Sequence, residues 1–347
     1  MRSGGWTGLA LLTTMQAVGA QTPRVTDQQS GTNALLQAVS PVSDRIVWIS
    51  GHSGAVLRTL DGGTTWQIRP VPGAERLEFR AIVAHSANEA WIMSAGNGGQ
   101  SRIYHTTDGG ANWALQFTNP DSAAFYDCFT FFDAKRGVAF SDATAGRTMV
   151  LRTEDGGAHW ALLPSVAVPA ALPQEGAFSA SGGCVTSIDN RHGWIATGNP
   201  EARIMRTDDA GKTWHAFPTP IFHSASAGLT GTAFRDANHG MAVGGGSIGG
   251  RSSGPDTTSA VVAITADGGR TWTLEHRPPP GAIYGVAVVP KAGSGTYVAS
   301  SLTGLMVTRD NGNSWNAVVA HQYWSVGAAG RTAWGAGPGG RITRLDW

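Results

Sequence analysis

The sequence predicts an all-β fold, namely a seven-bladed β-propeller of four-stranded antiparallel blades whose ring is closed by an N-terminal strand in the last blade. Three observations predict it. An eight-residue phrase recurs six times, its final tryptophans stand 43 to 58 residues apart, and a C-terminal unit repeats the strands without the phrase. A repeat of about 40 to 50 residues accommodates the four strands of one blade. We therefore expect residues 21–347 to form a single domain.

The repeated phrase is a hairpin signal, and its first copy reads Thr59-Leu-Asp61-Gly62-Gly63-Thr-Thr-Trp66. Asp-Gly between apolar runs favours a tight β-turn, in which the aspartate accepts backbone N–H groups and glycine supplies positive φ. We expect each closing tryptophan to bury a large area and to stabilise the fold more than the turn's hydrogen bonds do. The residues to which we assign this structural role are Asp61, Asp108, Asp155, Asp209, Asp267, Asp310, Trp66, Trp113, Trp160, Trp214, Trp272 and Trp315.

Short runs of β-branched and aromatic residues, bounded by turn residues, predict the strands of each unit. In the first unit these are 35–39, 46–50, 55–59 and 66–70. The first two strands of the next five units are predicted at 79–84 and 89–93, 126–128 and 136–140, 183–184 and 192–196, 231–234 and 239–243, and 284–288 and 295–299. The C-terminal unit has strands near 323–326, 332–335 and 341–345.

The C-terminal unit ends after three strands, and an uncovered sheet edge favours unwanted association. Circular folds avoid this hazard by closing their sheets. We expect the segment around 23–26 to pair as the missing outer strand, which gives seven blades in preference to six.

The six phrases resemble the Asp-box, or BNR repeat, of sialidases, sortilin-type receptors and photosystem II stability/assembly factor-like propellers. The second-strand phrases ending at Trp194 and Met241, and the linker 169–182, are similar to the bacterial secreted branch of that last family. The resemblance implies boxes on the turn between third and fourth strands, away from the ligand-binding face. It also implies a non-catalytic scaffold or chaperone, related to photosystem II assembly factors, that binds a protein or peptide.

The N terminus predicts export. Arg2, an apolar run at 9–12 and small residues at 17–20 are typical of a secretory signal peptide spanning residues 1–20, with a disordered cytosolic leader as the alternative. The mature chain would then be periplasmic or secreted. Charged residues make up 14% of the chain and the formal charge is +1, with no basic cluster, which argues against nucleic acid as a partner. No apolar run is long enough to span a bilayer, and we expect a monomer.

The two cysteines occupy equivalent positions in neighbouring units. Cys128 and Cys184 each begin a first strand, and the residues after them align without gaps. A disulfide suits an exported protein, but it requires Cα atoms within about 7 Å. A Cys128–Cys184 disulfide and two buried free thiols therefore both remain open.

Catalytic motifs are incomplete. The segments 244–249 and 335–340 match Gly-x-Gly-x-x-Gly, but each connects strands, whereas a dinucleotide site must open a helix. The run that starts at Arg45 lacks the proline of a sialidase signature. A glycosidase requires two acids that flank a cleft, and Asp127 and Glu175 could approach each other at the pore, at a distance that the sequence does not give. A carbohydrate-active hydrolase and a lectin-like glycan binder remain alternatives.

Histidines are scattered without the spacing of a metal site, so we predict neither a metal nor a cofactor. His192 and His239 stand at matching turns, which indicates repeat structure. At the pore mouth opposite the boxes, we expect ligand contacts from inner-strand entries and long loops; aromatic filling of a narrow channel is the competing interpretation. These candidate ligand-binding residues are Arg80, Tyr126, Asp127, Glu175, His223, Tyr284 and Tyr323, beside a glycine-rich loop at 244–259.

Overall fold

The computed structural model describes residues 22–246, 261–275 and 281–347. The predicted signal peptide at 1–20 and most of the glycine-rich loop at 244–259 lie outside these ranges. Within them, no helix is long and apolar enough to cross a membrane.

Nearly all regular structure is β. The strands before the midpoint are β1 (Arg24–Gln28), β2 (Leu36–Pro41), β3 (Val47–Gly51), β4 (Val56–Thr59), β5 (Gln67–Ile68), β6 (Glu78–Ala84), β7 (Ala90–Asn97), β8 (Arg102–Thr106), β9 (Ala114–Thr118), β10 (Phe125–Phe131), β11 (Gly137–Thr144), β12 (Arg147–Thr153) and β13 (Ala161–Leu162). Those after it are β14 (Val185–Ser187), β15 (Gly193–Thr197), β16 (Arg203–Thr207), β17 (His215–Pro218), β18 (Leu229–Phe234), β19 (Gly240–Gly244), β20 (Val262–Thr265), β21 (Thr273–Leu274), β22 (Ile283–Val288), β23 (Tyr297–Ser301), β24 (Leu305–Thr308), β25 (Asn316–Val319), β26 (Ser325–Ala329), β27 (Thr332–Ala336) and β28 (Ile342–Asp346). Short 3-10 turns lie at Gly98–Gln100, Ser165–Ala167 and Pro338–Gly340. The all-β prediction is confirmed.

Consecutive strands pair antiparallel in sets of four, beginning at β2, β6, β10, β14, β18 and β22. The second and third of these sets form one eight-stranded sheet because β10 also pairs with β7, where Tyr126 lies opposite Gly96. In the last sheet the order is β1-β28-β27-β26. The N-terminal strand therefore lies beside the C-terminal one, with Arg24 opposite Asp346 and Gln28 opposite Ile342.

The first strand of each set contacts the first strand of the next, and β26 in turn contacts β2. Apolar clusters fill the spaces between neighbouring sheets. The largest side chains in these clusters belong to second strands: Trp48, Trp91, Trp194 and Trp334 are fully buried. Burial of about 150–250 Å² each stabilises the fold by roughly 4–6 kcal/mol as an upper bound.

Most box tryptophans are less buried than the sequence suggested. Trp214 is buried, whereas Trp66, Trp113, Trp160, Trp272 and Trp315 are only partly buried at the outer strands. The burial expected of every box tryptophan is therefore strongest at Trp214 and only partial at the other five.

Each box aspartate is engaged in its own turn. In the first box, Asp61 Oδ1 accepts the Thr59 hydroxyl at 2.8 Å and the Thr65 N–H at 2.9 Å, and Gly62 and Gly63 have φ of 75° and 92°. The Thr-to-Asp bond recurs at 2.7 to 2.9 Å in all six boxes. The N–H of Thr65 leads the contacts that lower the pKa of Asp61 to about 2. The carboxylate thus stays ionised and saturated by donors of the turn.

A second set of turns lies beside the boxes. Gly62 N–H donates to the carbonyl of Arg45 at 2.8 Å, which ties the box to the turn between β2 and β3. His192 and His239 lie in the corresponding turns and contact Asp189 and Asp236 at 2.8 and 2.9 Å. We call this end of the sheets the box face. The opposite face carries the loops at 51–55, 97–101, 142–146 and 198–202.

Candidate functional site

A strap, residues 176–183, crosses the centre of the opposite face. In the chain it directly precedes the fourth set of strands, and it contacts the first and the last set. The Gln37 side-chain amide donates to Ser179 O at 3.0 Å, and the Ser325 hydroxyl donates to Ser181 O at 3.3 Å. Gly182 has φ 72°, and a Cβ at this position would lie 2.8 Å from the carbonyl oxygen of Arg80. Only glycine fits this close approach. The strap therefore crosses the pore mouth at which the sequence predicted either ligand contacts or aromatic filling.

The strap begins at a buried ion pair. Glu175 is 1% exposed, and its two carboxylate oxygens accept the Arg203 Nε and Nη2 donors at 2.5 Å each, while the Thr197 hydroxyl donates at 2.9 Å. This carboxylate has no surface from which to contact a ligand. The prediction of Glu175 as a ligand-binding residue was wrong, because its partner Arg203 lies 28 residues away on another strand.

The strap ends at a disulfide. Cys128 and Cys184 are bonded with Cα atoms 6.0 Å apart, inside the range that a disulfide allows, and neither side chain is exposed. The bond joins β10 to the residue that precedes β14. Of the two alternatives that the sequence left open, the structure contains the disulfide.

The three candidate tyrosines are packing residues. Tyr126, Tyr284 and Tyr323 are 3%, 1% and 0% exposed. The Tyr323 hydroxyl lies 2.6 Å from the Thr343 hydroxyl, which in turn donates to Asp27, and burial raises the pKa of Tyr126 to about 12. The prediction that these tyrosines contact ligand was wrong, and the competing interpretation of aromatic filling describes them better.

β-Bulges lie at the mouth end of five first strands. The first strand of five sets shifts register at its opposite-face end, which leaves one extra residue each time: Gln37, Arg80, Asp127, Thr230 and Tyr284. Bulges re-aim side chains and are common beside binding sites. Arg80 and Asp127 therefore occupy equivalent positions, although the Asp127 side chain lies outside the described part of the chain. The sequence predicted the starts of these strands from their repeated pattern. It did not predict the extra residue that each bulge inserts.

Arg80 belongs to a half-buried polar cluster with Gln37, His52 and Glu78, which we call the mouth cluster. Arg80 Nη2 donates to Glu78 Oε2 at 2.6 Å, and Arg80 Nε to the same oxygen at 3.1 Å. His52 Nδ1 lies 3.6 Å from Glu78 Oε1, and His52 Nε2 lies 2.6 Å from Gln37 Oε1. The Arg80 guanidinium also lies 5.9 Å from the Phe125 ring centre. Sequence analysis found only Arg80 of these four.

In the mouth cluster, the positive charge of Arg80 is balanced by the negative charge of Glu78. Burial lowers the pKa of His52, with Glu78 opposing that shift, so the imidazole is neutral at pH 7. Partial burial acts to raise the pKa of Glu78, but the hydrogen bond and charge of Arg80 lower it. The Arg80 and Glu78 side chains are 28% and 40% exposed. A guest at this mouth would therefore meet one cation and one anion side by side.

A groove lies along the first sheet, and its lining includes none of the four mouth-cluster residues. Its volume is about 500 Å³, and Ser53 and Gly54, which directly follow His52, line one side. Ile68 and Val71 supply apolar walls, and Glu75 is the charged residue that lines it.

The remaining candidates do not join this site. His223 is exposed beside Phe222 and contacts the carbonyl of Ile221 at 3.2 Å. The second glycine-rich match, 335–340, spans the end of β27 and a short 3-10 turn, so it connects strands as predicted. Among the described residues, no group of three or more His, Cys, Asp and Glu side chains is placed to hold a metal ion.

Sequence reasoning also missed Asp142. It is partly buried, and Oδ1 accepts the N–H of Ala177, the second residue of the strap, at 3.0 Å. Burial raises the pKa of Asp142 to about 6 against this single hydrogen bond. The residue therefore positions the strap and titrates near neutral pH.

Comparisons with known proteins agree with this architecture. A family model described as photosynthesis system II assembly factor YCF48 matches residues 23–121. The solved structure of YCF48 bound to D1 peptide aligns with a TM-score of 0.63 at 15% identity, covering 95% of this chain and 99% of that one. The WD40 β-propeller domain of Doa1 aligns with a TM-score of 0.58 at 13% identity, covering 93% and 97%.

An enzyme is also similar in fold. The GH74 xyloglucanase from Xanthomonas campestris aligns with a TM-score of 0.61 at 15% identity, covering 92% of this chain but 53% of that one. No curated protein matches the sequence. The predicted resemblance is confirmed: this is an Asp-box repeat β-propeller similar to the photosystem II assembly factor family.

Proposed function

We propose that this Asp-box propeller is an exported, non-catalytic scaffold or chaperone that binds an extended peptide, or an extended segment of a protein, on its opposite face. The observation that carries the proposal is the partly exposed Arg80–Glu78 ion pair of the mouth cluster on this face. A groove of about 500 Å³, whose lining residue Ser53 directly follows His52 in the chain, offers a second contact surface. The similarity to YCF48 bound to D1 peptide supports a peptide as the guest. The disulfide supports an oxidising compartment, since such bonds are rare in the cytosol.

The ring itself is part of the proposal. Seven sets of four strands, the seventh completed by β1, would form a closed seven-bladed ring. Contacts between successive first strands, including β26 with β2, support it. A closed and rigid ring keeps the mouth cluster and the groove in fixed relative positions, which lowers the entropy lost on binding.

Recognition would rest on Arg80 and Glu78. Arg80 uses Nε and Nη2 on Glu78, and within the described residues Nη1 has no hydrogen-bond partner. That nitrogen is available to a carbonyl or carboxylate oxygen of the guest, and such charge-assisted bonds are stronger than neutral ones. Ile68, 52% exposed at the outer strand, offers an apolar contact in the groove.

A carbohydrate-active hydrolase of the sialidase type, or a lectin-like glycan binder, is the second candidate. The similarity to a GH74 xyloglucanase favours it. A paired-carboxylate mechanism requires two acids with free oxygens across a cleft. Glu175, the predicted acid, is held on both oxygens by Arg203, so we rank this candidate below peptide binding.

The test is a selection of displayed 12-residue peptides on the wild-type protein, followed by affinity measurements on the enriched sequences. Arg80→Ala should weaken binding about tenfold or more, because it removes a charge-assisted bond of about 1.5–3 kcal/mol. Arg270→Ala, an exposed arginine on the box face, is the matched control and should leave affinity unchanged. Equal affinity of the Arg80→Ala and wild-type proteins, or hydrolysis of xyloglucan by the wild type, would overturn the proposal.

A further inference from the structure

The strap leaves a cavity beneath it, on the side of the box face. The cavity measures about 350 Å³, and Ser181, Gly182 and Gly183 of the strap form its inner end. Its wall comes from the first strands of all seven sets, through Val39, Ile82, Phe129, Val185, Thr232, Val286 and Val326. Residues near the box-face end of these strands, such as Ser40 and Ser187, are only partly buried. The axis is therefore a blind pocket that opens toward the boxes.

The lining of this pocket is uncharged. Lys, Arg, Asp and Glu are absent from it within the described residues, and His85 is its titratable group. Burial lowers the pKa of His85, and the more distant Glu89 and Asp133 oppose that shift. The imidazole also packs edge-on against Trp91 at 4.9 Å between ring centres. A charged guest would lose its hydration here without gaining a counter-ion, so the pocket favours a neutral one.

Hydroxyl groups give the pocket its polar contacts. The Thr186 and Thr232 hydroxyls lie 2.7 Å apart, so only one of them donates to the other. The Ser40 hydroxyl accepts the N–H of Ala84 at 2.9 Å, and its own hydrogen has no partner among the described residues. At least two hydroxyl hydrogens are thus free to donate into the pocket. A guest must offer oxygen acceptors to them.

Apolar side chains complete the wall. Ile82, Phe129, Val286 and Val326 present hydrocarbon surface between the hydroxyl groups. Ligand pockets typically measure about 300–1,000 Å³ and combine apolar walls with a few placed polar groups. Protein interiors otherwise leave few voids larger than a water molecule. A volume of this size with donors facing inward therefore has the character of a binding site.

We propose that this pocket binds a neutral polyol of monosaccharide size, whose hydroxyl oxygens accept from Ser40 and the Thr186–Thr232 pair and whose C–H face packs on Phe129 and Val286. This site is independent of the peptide site, because the strap lies between them and neither residue set is shared. Ordered water alone is the competing occupant.

The test is ligand-observed NMR with D-glucose, myo-inositol and D-sorbitol, compared with D-glucuronate as a charged counterpart. At least one neutral probe should bind with a Kd of about 1 mM or below, and glucuronate should bind at least tenfold more weakly. Val286→Trp fills the pocket and should abolish the signal, while Thr232→Val removes one hydroxyl at constant shape and should weaken binding several-fold. Arg80→Ala, on the other side of the strap, should change nothing.

Thermal unfolding of each variant establishes that it is folded. If Val286→Trp does not fold, Val39→Phe fills the same pocket from another wall. Absence of binding by all three neutral probes would mean that the pocket holds only water and would overturn the proposal. Undiminished binding by a folded pocket-filling variant, or equal binding of glucuronate, would overturn it as well.

Discussion

Arg344 donates from Nη1 to the carbonyl oxygen of Gly62, 2.8 Å away and 282 residues earlier in the chain. The side chains of Gln28 and Trp334 converge on the same oxygen, at 2.9 and 3.4 Å. The last sheet thus holds the first box in place. The same contact recurs elsewhere: Trp91 donates to Gly156 O at 2.9 Å, and Trp194 donates to Gly268 O at 2.8 Å. A box is therefore also an acceptor for the neighbouring sheet.

The first prediction concerns this inter-sheet contact. Trp194→Phe removes an indole N–H bonded to Gly268 and part of a ring stacked on Phe234 at 3.5 Å. The lost hydrogen bond, the carbonyl left buried and the lost volume should together lower the free energy of unfolding by about 2–4 kcal/mol. Trp113→Phe is the matched control, because the Trp113 indole N–H has no acceptor among the described residues. Chemical denaturation should give it the smaller loss; equal losses would contradict the role of the contact.

The second prediction concerns closure of the ring. Deleting residues 22–28 removes β1 and exposes the edge of β28, and it breaks the contacts of Asp27 with Thr343 and Gln28 with Gly62. We expect stability to fall by about 2–5 kcal/mol from several lost hydrogen bonds, and soluble oligomers to form through the free edge. Denaturation and size-exclusion chromatography measure these effects. Deleting residues 2–21 alone is the control, and unchanged behaviour of the 22–28 deletion would show that β1 does not close the ring.

The third prediction is acid sensitivity of the boxes. Turn N–H donors lower the pKa of Asp61 to about 2, and those of Asp108, Asp155 and Asp267 are also about 2, below the ordinary 3.8. A depressed carboxyl pKa stabilises the folded state above the unfolded value, and that contribution disappears as pH falls through the folded value. The Tm should therefore drop between pH about 4 and 2. Asp61→Asn should make that drop shallower; an unchanged slope would contradict this assignment.

The fourth prediction has the opposite sign. Because burial raises the pKa of Asp142 to about 6, its charged form is disfavoured in the folded state. Its stabilising contribution is full below the unfolded pKa and is lost as pH rises through about 6. Asp142→Asn keeps an oxygen for the Ala177 N–H and should raise the Tm by a few degrees at pH 8, with little change at pH 4. A lower Tm of this variant at pH 8 would show that the carboxylate is needed in its ionised form.

The fifth prediction concerns the ion pair at the start of the strap. Arg203→Met leaves the Glu175 carboxylate buried without its counter-ion and should lower the free energy of unfolding by about 3–5 kcal/mol. Replacing both residues, as Glu175→Leu with Arg203→Met, should recover most of that loss. Urea denaturation of the single and double variants measures the difference. Equal instability of the two would show that the pair's geometry, and not the uncompensated charge, sets the cost.

Local patterns predicted what depends on local contacts. The box turns, the strand starts and the placement of His192 and His239 follow from residues a few positions apart. The strand starts also led to Arg80, since the bulge lies at the same point of each repeat. The burial of the side chains at the strand starts could not be predicted from these patterns. Tyr126, Tyr284 and Tyr323 have the composition of a binding surface, yet the neighbouring sheets cover them.

The errors at the mouth arose from contacts between distant segments. Ser179 meets Gln37 from 142 residues away, and Ser181 meets Ser325 from 144 residues away. No pattern in 169–182 indicates that this segment crosses the pore, and no spacing links Glu175 to Arg203. His52 was missed for the same reason, because it lies in the connection between β3 and β4 while its partner Glu78 belongs to β6.

The strap also determines whether the central channel between the first strands is open at both ends. A ring with an open bore would let solutes and peptide ends thread from one side to the other. Here Gly182 and its neighbours lie across that bore, so the cavity on the box-face side ends at the strap. The two guests proposed above would therefore lie on opposite sides of the strap and would not compete for the same space.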